Sequence, residues 1–414
     1  MTTITVLEEK RIILGVTGSI AAYKAADLAS KLTQAGAMVD VIMTDAAKHF
    51  VAPLTFQALT GRPVYESLWG ESETASALPA HIAHVGLAES ADLILIAPAT
   101  ASTIARLAHG FADDLLSVTV LAARCPVVLA PAMDGGMYEN PVTQANLEKL
   151  RNFGMQIIEP EHGRFASGLE GRGRLPETST LMGYIRHIMG SGLEGRHIVV
   201  TAGGTREALD PVRYISNHSS GKQGYAIAQA ALDFGAEVTL ISTVPHLQTP
   251  AGAKLVSINS AAEMRDAVLA HADCDALVMA AAVADLRPAQ ITEHKIKKQN
   301  APDTLLLERT DDILAIIGQN RRETGRPSVV VGFAAETQDL IDNARAKLEK
   351  KNLDLIVAND LTVPGAGFAT ETNIVTFIRR SGELEIHPIT TKTRVAEKIM
   401  QFIVQNVTGN AKEE

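Results

Sequence analysis

The sequence predicts an α/β protein with two doubly wound, mostly parallel sheets in tandem. The chain has 414 residues, more than one hydrophobic core usually spans, so two domains are expected. Short runs of Val, Ile and Leu alternate with helical stretches, which is the pattern of parallel sheets covered by helices. A strand–turn–helix succession begins at Arg11 and again at His197, on either side of a Gly-rich segment at 189–195. We therefore expect domains at 1–188 and 196–414, joined by that linker.

Hydrophobic spacing places the elements of the first half. A strand is expected at 12–16, followed by a small-residue turn and a helix that ends before Gly36. One face of that helix is apolar, with Ala21, Ala25, Leu28 and Leu32. Further strands are expected at 39–43, 93–97, 127–130 and 156–158.

The second half repeats the start with one difference. A strand at 198–200 is separated from its helix, which begins after Gly221 and ends at Gly235, by a polar segment at 203–220. Long polar insertions at the carboxyl end of a parallel strand are where ligands bind in Rossmann- and flavodoxin-like sheets. Further strands are expected at 237–241, 277–281, 329–332 and 354–358.

Composition limits the compartment and the partners. A formal net charge of −9 argues against non-specific binding to nucleic acid or to anionic membrane. Cys125 and Cys274 cannot build a disulfide framework and lack metal-ligand spacing, which favours a reducing cytosol. The acidic start at 1–10 has no apolar core typical of a signal peptide, and no run of about 18 apolar residues occurs. A cytoplasmic protein is expected.

Three small-residue turns follow buried strands in the first half and should meet at one sheet edge. The first contains Gly18 and Ser19 and opens a helix, so its N–H groups suit a single phosphate, although an ordinary helix start explains it equally well. The dinucleotide pattern G-x-G-x-x-G is absent. The other two turns lie at 98–103 and 131–138.

Taken together, the three turns resemble those of the homo-oligomeric flavin-containing cysteine decarboxylases, over most of residues 11–180. The resemblance implies FMN as cofactor and His84 as catalytic base, although a helix-terminal His is by itself more often a surface or capping residue, and His81 lies close by. A flavin supplies the electron sink that loss of the cysteine carboxylate requires. The implied FMN contacts are Gly18, Ser19, Thr44, Pro98, Thr100, Ser102 and Met133.

Three residues depart from that family's pattern. Asp134 stands where the family has an Asn that holds the substrate carboxylate, and an anionic side chain would repel that group unless it is protonated or finds another partner. Ser167 replaces the flap Cys that donates a proton, and a hydroxyl is a much weaker acid than a thiol. Ser102 replaces a further Asn. Asp134 and Ser167 therefore remain candidate catalytic residues, and a flavin-binding but decarboxylation-impaired first domain remains an alternative.

The second half contains the most specific motif, at 201–207 and 210–222. Gly203 and Gly204 allow close backbone approach to phosphates, and Ser219 and Ser220 precede a helix N-terminus. A P-loop is excluded, because Gln223 follows the Gly-Lys pair and the required upstream Gly is missing.

This segment resembles the signature of bacterial phosphopantothenate–cysteine ligases, and the likeness extends from 195 to about 400. It implies that Arg213 and Asn217 handle an acyl-cytidylate intermediate, and that Lys295, in a basic cluster at 294–298 that could otherwise be a solvated face, is essential. Asp285 is implied at the ribose and at a divalent cation, Mg²⁺, although alone it could equally be a helix cap. The remaining implied nucleotide contacts are Ala281, Asp311, Asp312, Ile313, Leu314, Phe333, Lys347 and Lys351.

The two resemblances imply consecutive reactions. A CTP-dependent ligase would join cysteine to 4'-phosphopantothenate through an acyl-cytidylate, and the decarboxylase would convert phosphopantothenoylcysteine to 4'-phosphopantetheine. The families also imply a homo-oligomer, a dodecamer of trimeric decarboxylase units joined by ligase dimers. A different class of function, a flavin-binding electron-transfer or regulatory protein, would leave Asn217 and Lys295 unexplained.

Overall fold

The computed structural model describes residues 5–68, 83–165, 168–297, 304–336, 340–360 and 372–409. Their contacts divide the chain into two compact units, Met1–Met189 and Gly190–Glu414. Among the described residues, no helix has the length and apolar character needed to cross a bilayer.

Unit 1 is a six-stranded, all-parallel sheet with helices on both faces. Its strand order is β3-β2-β1-β4-β5-β6. After a 3₁₀ turn at Thr5–Leu7, its strands are β1 Arg11–Val16, β2 Met38–Met43, β3 Val64–Tyr65, β4 Leu93–Ala99, β5 Val127–Pro131 and β6 Gln156–Ile157, and a separate antiparallel hairpin contains β7 Glu161–Arg164 and β8 Glu170–Arg174. Its helices are α1 Ala22–Gln34, α2 Asp45–Lys48, α3 Pro53–Thr60, α4 Ala83–Ser90, α5 Ala101–Ala108, α6 Leu115–Ala122, α7 Gly135–Tyr138, α8 Pro141–Asn152 and α9 Thr178–Met189.

Both faces of the unit 1 sheet are buried, as its nearly continuous apolar strands predict. Every residue of β4 is buried. Leu28 and Leu32 of α1 are fully buried against one face, and Ile104 of α5 is fully buried against the other. Burial of such a side chain contributes about 1.5–3 kcal/mol. The two apolar layers therefore hold the sheet rigid and place the carboxyl ends of its strands along one edge.

Unit 2 has an eight-stranded mixed sheet with strand order β13-β12-β9-β14-β17-β18-β19-β20. The strands of this sheet are β9 His197–Ala202, β12 Glu237–Ser242, β13 Lys254–Ser257, β14 Ala276–Met279, β17 Val329–Glu336, β18 Leu355–Asp360, β19 Thr372–Arg379 and β20 Leu384–Thr391. Two small antiparallel pairs lie outside it, β10 Arg206–Ala208 with β11 Tyr214–Ser216, and β15 Leu286–Pro288 with β16 Leu307–Arg309. Its helices are α10 Lys222–Asp233, α11 Ala261–Ala270, α12 Ile313–Thr324, α13 Leu340–Lys350 and α14 Lys392–Gly409.

The predicted fold class is confirmed, with two differences in unit 2. The strands up to β18 are parallel, but β19 and β20 are antiparallel and were not predicted. The strand predicted at 277–281 ends at Met279, and the following small residues form a loop that bridges to Gly204 at Ala282. The loop leaves the sheet because Ala282 and its neighbours bond across to the end of β9.

Candidate functional sites

The turn after β1 brings the chain close to α2. A Cβ on Gly18 would lie 2.4 Å from the Cβ of Ala46, so only glycine allows this approach. The Ser19 hydroxyl accepts a hydrogen bond of 3.2 Å from the Ala21 N–H, and Ser19 is half-buried. The N–H groups of Ser19, Ala21 and Ala22 are bonded within the turn, so a phosphate site at the start of α1 stays a prediction from the sequence.

Thr17 joins this turn to the one after β4. Its buried hydroxyl donates to the carbonyl of Pro98 at 2.6 Å and accepts from the N–H of Thr100 at 3.1 Å. Thr100 in turn caps α5 by accepting from the Thr103 N–H, while Ser102 is exposed. Sequence reasoning did not select Thr17, although a hydroxyl directly after an apolar strand is the feature that could have identified it.

Thr44 lies at the end of the neighbouring strand and its hydroxyl has no partner. Within the described residues, Thr44 Oγ1 is buried and makes no hydrogen bond. A buried hydroxyl without a partner costs about 1–3 kcal/mol unless a bound group satisfies it. Gly18, Thr44 and Thr100 follow three adjacent strands, β1, β2 and β4. The residues present therefore fit a cofactor that has a phosphate and further polar atoms, as FMN has.

Asp134 has a local role in the third turn. It is the N-cap of α7, and its Oδ1 accepts a hydrogen bond of 3.2 Å from the Gly136 N–H. A carboxylate is stabilised at that position by the backbone N–H groups. The negative charge of Asp134 therefore has a backbone partner.

The β7–β8 hairpin is docked on this same turn. The Met133 N–H donates to the carbonyl of Gly173 at 2.9 Å, and a Cβ on Gly173 would lie 2.3 Å from the Met133 carbonyl oxygen. The Phe165 ring packs over Gly135 and Gly171, where an added Cβ would lie 3.1 and 3.2 Å away. Gly171 and Gly173 of the hairpin are therefore required by close packing on this turn.

Two further predicted site residues of unit 1 remain, His84 and Ser167. His84 is the second residue of α4 and is half-buried, which leaves its imidazole accessible to a ligand. Ser167, together with the nearby His81, lies outside the described residues.

In unit 2, the ends of β9 and β14 form a glycine- and alanine-lined surface. Gly203 has a φ of +91° and packs against Gly221, which is the N-cap of α10 and has a φ of +76°. A Cβ on Gly204 would lie 2.7 Å from the Asn217 carbonyl oxygen. Asn217 is exposed, and its Nδ2 donates to the carbonyl of Ala282 at 3.3 Å. These glycines are therefore required by packing against the protein itself, and the approach of a ligand to their backbone stays a prediction.

Arg213 is held by a neighbouring carboxylate. Its Nε and Nη2 donate to Asp210 Oδ2 at 2.9 and 2.6 Å, and Nη2 also donates to the carbonyl of Ile296 at 2.9 Å. Asp210 therefore already occupies two donors of the guanidinium. With 45% of the side chain exposed, one edge of the guanidinium remains open to a ligand. Lys295, beside Ile296, is exposed.

Lys347 and Lys351 lie on one face of the α13 region, as their spacing predicts. Lys347 Nζ donates to the carbonyl of Phe333 at 3.1 Å, and Lys351 Nζ lies 3.0 Å from Asp312 Oδ1. Phe333 is half-buried in β17. The two lysines therefore lie near the end of β17 and the start of α12.

Four of the predicted nucleotide contacts lie at the start of α12, where two are polar and two are buried apolar residues. Asp312 is its N-cap and accepts from the Ala315 N–H at 3.1 Å, and Asp311 pairs with Arg265. Ile313 and Leu314 are buried in the core at 4% and 7% exposure. Their side chains are therefore part of the core, and the predicted nucleotide contacts of these two residues would be made through the backbone.

Two buried threonines organise the loop that leads to Asp285. Thr201 Oγ1 accepts from the Ala281 N–H at 3.1 Å, and Thr205 Oγ1 accepts from the Ala284 N–H at 2.9 Å. Asp285 itself is exposed. Among the described residues, no group of three or more His, Cys, Asp or Glu side chains could hold a metal ion. A cation at Asp285 would therefore need ligands from a bound nucleotide.

The fold and the two sites define a protein with a flavin-binding unit followed by a nucleotide-type α/β unit. Residues 2–190 match the family described as Flavoprotein, and residues 193–407 match the DNA/pantothenate metabolism flavoprotein C-terminal domain.

The chain belongs to the family of coenzyme A biosynthesis bifunctional proteins CoaBC, so the sequence-based family assignment is confirmed. It is 47% identical over 403 residues to the Bacillus subtilis (strain 168) member, covering 96% of this chain and 97% of that protein. It is 44% identical over 415 residues to the Mycobacterium tuberculosis (strain ATCC 25618 / H37Rv) member, covering 97% of each.

Two solved structures are similar to one half each. The crystal structure of the C-terminal domain of a coenzyme A biosynthesis bifunctional protein CoaBC is 39% identical, covers 53% of this chain and 100% of that chain, and has a TM-score of 0.45. A mutant PPC decarboxylase complexed with pantothenoylaminoethenethiol is 30% identical, covers 43% of this chain and 97% of that chain, and has a TM-score of 0.38.

Proposed function

We propose that this protein catalyses two consecutive steps of coenzyme A biosynthesis. The domain at 196–414 ligates cysteine to 4'-phosphopantothenate with CTP, and the domain at 1–188, joined through 189–195, decarboxylates the product to 4'-phosphopantetheine with FMN. The observation that carries the proposal is near-full-length identity of 47% to a bifunctional family member.

In the ligase domain, the chain's own groups bind and orient the reactants. Backbone N–H groups near Gly203, Gly204, Ser219 and Ser220 bind the phosphates of CTP, and Lys295, Lys347 and Lys351 neutralise charge. The substrate carboxylate attacks the α-phosphate, pyrophosphate leaves, and the amine of cysteine then displaces CMP. Asn217 Nδ2 stabilises the developing acyl oxyanion. Asp285 would hold Mg²⁺, which would offset the triphosphate charge.

In the decarboxylase domain, Ser19, Thr44 and Thr100 hold FMN. FMN supplies the reversible oxidation that makes loss of carbon dioxide from the cysteine moiety possible. His84 accepts or orients the thiol proton of the substrate.

The alternative, an active ligase with an impaired decarboxylase, rested on Asp134 and Ser167. Asp134 accepts a hydrogen bond from Gly136 N–H, which gives its carboxylate a structural role at the start of α7 that does not depend on the substrate. Identity to the bifunctional relatives extends over both halves. Neither observation favours the alternative.

Apolar side chains around the two small hairpins of unit 2 support a homo-oligomer. Val212, Tyr214, Ile291 and Leu306 are all more than half exposed. Clustered apolar surface of this kind is typical of a subunit contact. A dodecamer of decarboxylase trimers and ligase dimers, acting in the cytoplasm, is the assembly that we propose.

A one-pot assay tests the proposal. Purified protein is incubated with CTP, Mg²⁺, 4'-phosphopantothenate and cysteine, and products are followed by mass. Accumulation of 4'-phosphopantetheine supports both activities, whereas accumulation that stops at phosphopantothenoylcysteine supports the alternative. The absence of any pyrophosphate would refute the ligase assignment.

A further inference from the structure

Three polar side chains of unit 2 form a closed hydrogen-bonded ring. Lys392 Nζ donates to Asn373 Oδ1 at 2.9 Å, and Asn373 Nδ2 donates to Gln223 Oε1 at 2.9 Å. Gln223 Nε2 completes the ring by donating to the backbone carbonyl of Lys392 at 3.0 Å. Asn373 and Lys392 are only 4% and 6% exposed, so water competes little for these bonds. The ring fixes the orientation of both side-chain amides.

The topology places this ring at the ligand edge of the sheet. Gln223 lies in the first turn of α10, directly after the Ser219–Gly221 turn. Asn373 lies at the start of β19, which runs antiparallel to β18, so it is level with the carboxyl end of β18. Lys392 is the first residue of α14, which follows the end of β20. The three residues thus come from three elements that meet beside the proposed phosphate turn.

The start of α10 has no side-chain cap. Its N-cap is Gly221, which makes no side-chain hydrogen bond to the first turn. The first N–H groups of a helix lack intrahelical partners, so an anion can accept hydrogen bonds from them. Gln223 stands where a P-loop would have Ser or Thr, and its amide is committed to the ring instead of to the phosphates.

We propose that Gln223, Asn373 and Lys392 are positioning residues for CTP, an inference that rests on the proposed ligase function. The ring anchors the first turn of α10 to β19 and α14, and thereby holds the Ser219–Gly221 backbone in register with Gly203. None of the three side chains touches the reacting atoms. Their contribution is to binding of the triphosphate, so KM for CTP depends on them more than kcat does.

The test compares Gln223→Ala, Asn373→Ala and the double variant in the full-length protein. Each single variant is expected to raise KM for CTP about five- to tenfold, with kcat at saturating CTP changed less than about twofold. The double variant is expected to raise KM little beyond either single variant, because the ring is opened once. If the alanine variants fail to fold, Gln223→Glu replaces them. Its side chain still accepts the hydrogen bond from Asn373 but can no longer donate to the backbone carbonyl of Lys392.

Gln229→Ala is the matched control. Gln229 is a half-buried glutamine on the same helix, and its Nε2 donates to Asp233 at 3.0 Å at the far end. It is expected to lose similar thermal stability and to leave KM for CTP unchanged. Unchanged KM in Gln223→Ala, or multiplicative effects in the double variant, would overturn the positioning role.

Calorimetric titration with CTP separates this inference from the proposed function. If the wild type binds CTP but releases no pyrophosphate from it, the ligase assignment fails. The positioning role is then still tested, because weaker CTP binding by Gln223→Ala supports it and unchanged binding overturns it. A wild type that neither binds nor consumes CTP overturns both.

Discussion

Arg213 donates two hydrogen bonds to a single carboxylate oxygen of Asp210, at 2.9 and 2.6 Å. The same carboxylate oxygen accepts the Ile296 N–H at 3.2 Å, and Arg213 donates to the Ile296 carbonyl. The pair therefore ties the loop that contains Lys295 to the signature turn. The side-chain bond from Arg213 is the main reason why the pKa of Asp210 is held well below its ordinary value.

Asp210→Asn is expected to reduce ligase kcat/KM at least about tenfold, because a neutral amide binds the guanidinium more weakly and Lys295 loses its fixed loop. Pyrophosphate release from CTP measures the effect, and decarboxylation of added phosphopantothenoylcysteine should not change. Asp266→Asn is the control, since Asp266 forms an exposed pair with Arg265. Equal losses in both variants would contradict a specific role for Asp210.

Thr44→Val is expected to lower FMN affinity about five- to tenfold, because the unpartnered hydroxyl is the group that the cofactor would satisfy. Flavin absorbance after dialysis against graded FMN measures the change. Thermal stability without FMN should be equal or higher, since valine removes a buried polar atom without a partner. Thr243→Val, at the buried unpartnered threonine hydroxyl of unit 2, should leave FMN binding unaffected.

Gly173→Ala is expected to reduce decarboxylation at least about tenfold and to spare the ligase. The added Cβ would lie 2.3 Å from the Met133 carbonyl oxygen, so the hairpin must move away from the Asp134 turn. Carbon dioxide release from phosphopantothenoylcysteine is the measurement. Gly168→Ala is the control that separates a steric clash from backbone strain. Gly168 also has a positive φ, +87°, but an added Cβ there would meet nothing within 4 Å.

The lowered pKa of His387 predicts that the free energy of unfolding of unit 2 falls in acid. Burial is the main cause that lowers its pKa from the ordinary 6.5, and the cation of Lys398 adds to it, whereas Glu385 opposes it. The unfolded chain therefore takes up the proton first as pH falls. The contribution to stability is complete above about pH 6.5 and is lost as the pH falls toward the lowered folded value.

His387→Gln should remove that part of the pH dependence. We expect wild type to lose more unfolding free energy than this variant between about pH 7.5 and 5, measured by urea denaturation of the full chain. Parallel curves for the two proteins would show that His387 does not titrate with unfolding.

The sequence alone predicted most elements and the positions of the ligand turns. Parallel strands such as β4 are buried on both faces, so their apolar runs are visible locally, and Gly203 and Gly221 mark turns that few other residues allow. The pairing of Lys347 and Lys351 on one face also follows from helical spacing. These features depend on neighbours in the chain, which a sequence contains directly.

The partners of the polar residues depended on the tertiary structure. That Arg213 is occupied by Asp210, that Asp134 caps α7, and that Ile313 and Leu314 lie in the core are relations between side chains whose directions periodicity does not give. The ring of Gln223, Asn373 and Lys392 joins residues as many as 169 positions apart. The sequence determined which polar groups were available. Only the packing of distant elements decided which of these groups bond to each other. Burial excludes water, so each buried polar group must find its partner in the protein.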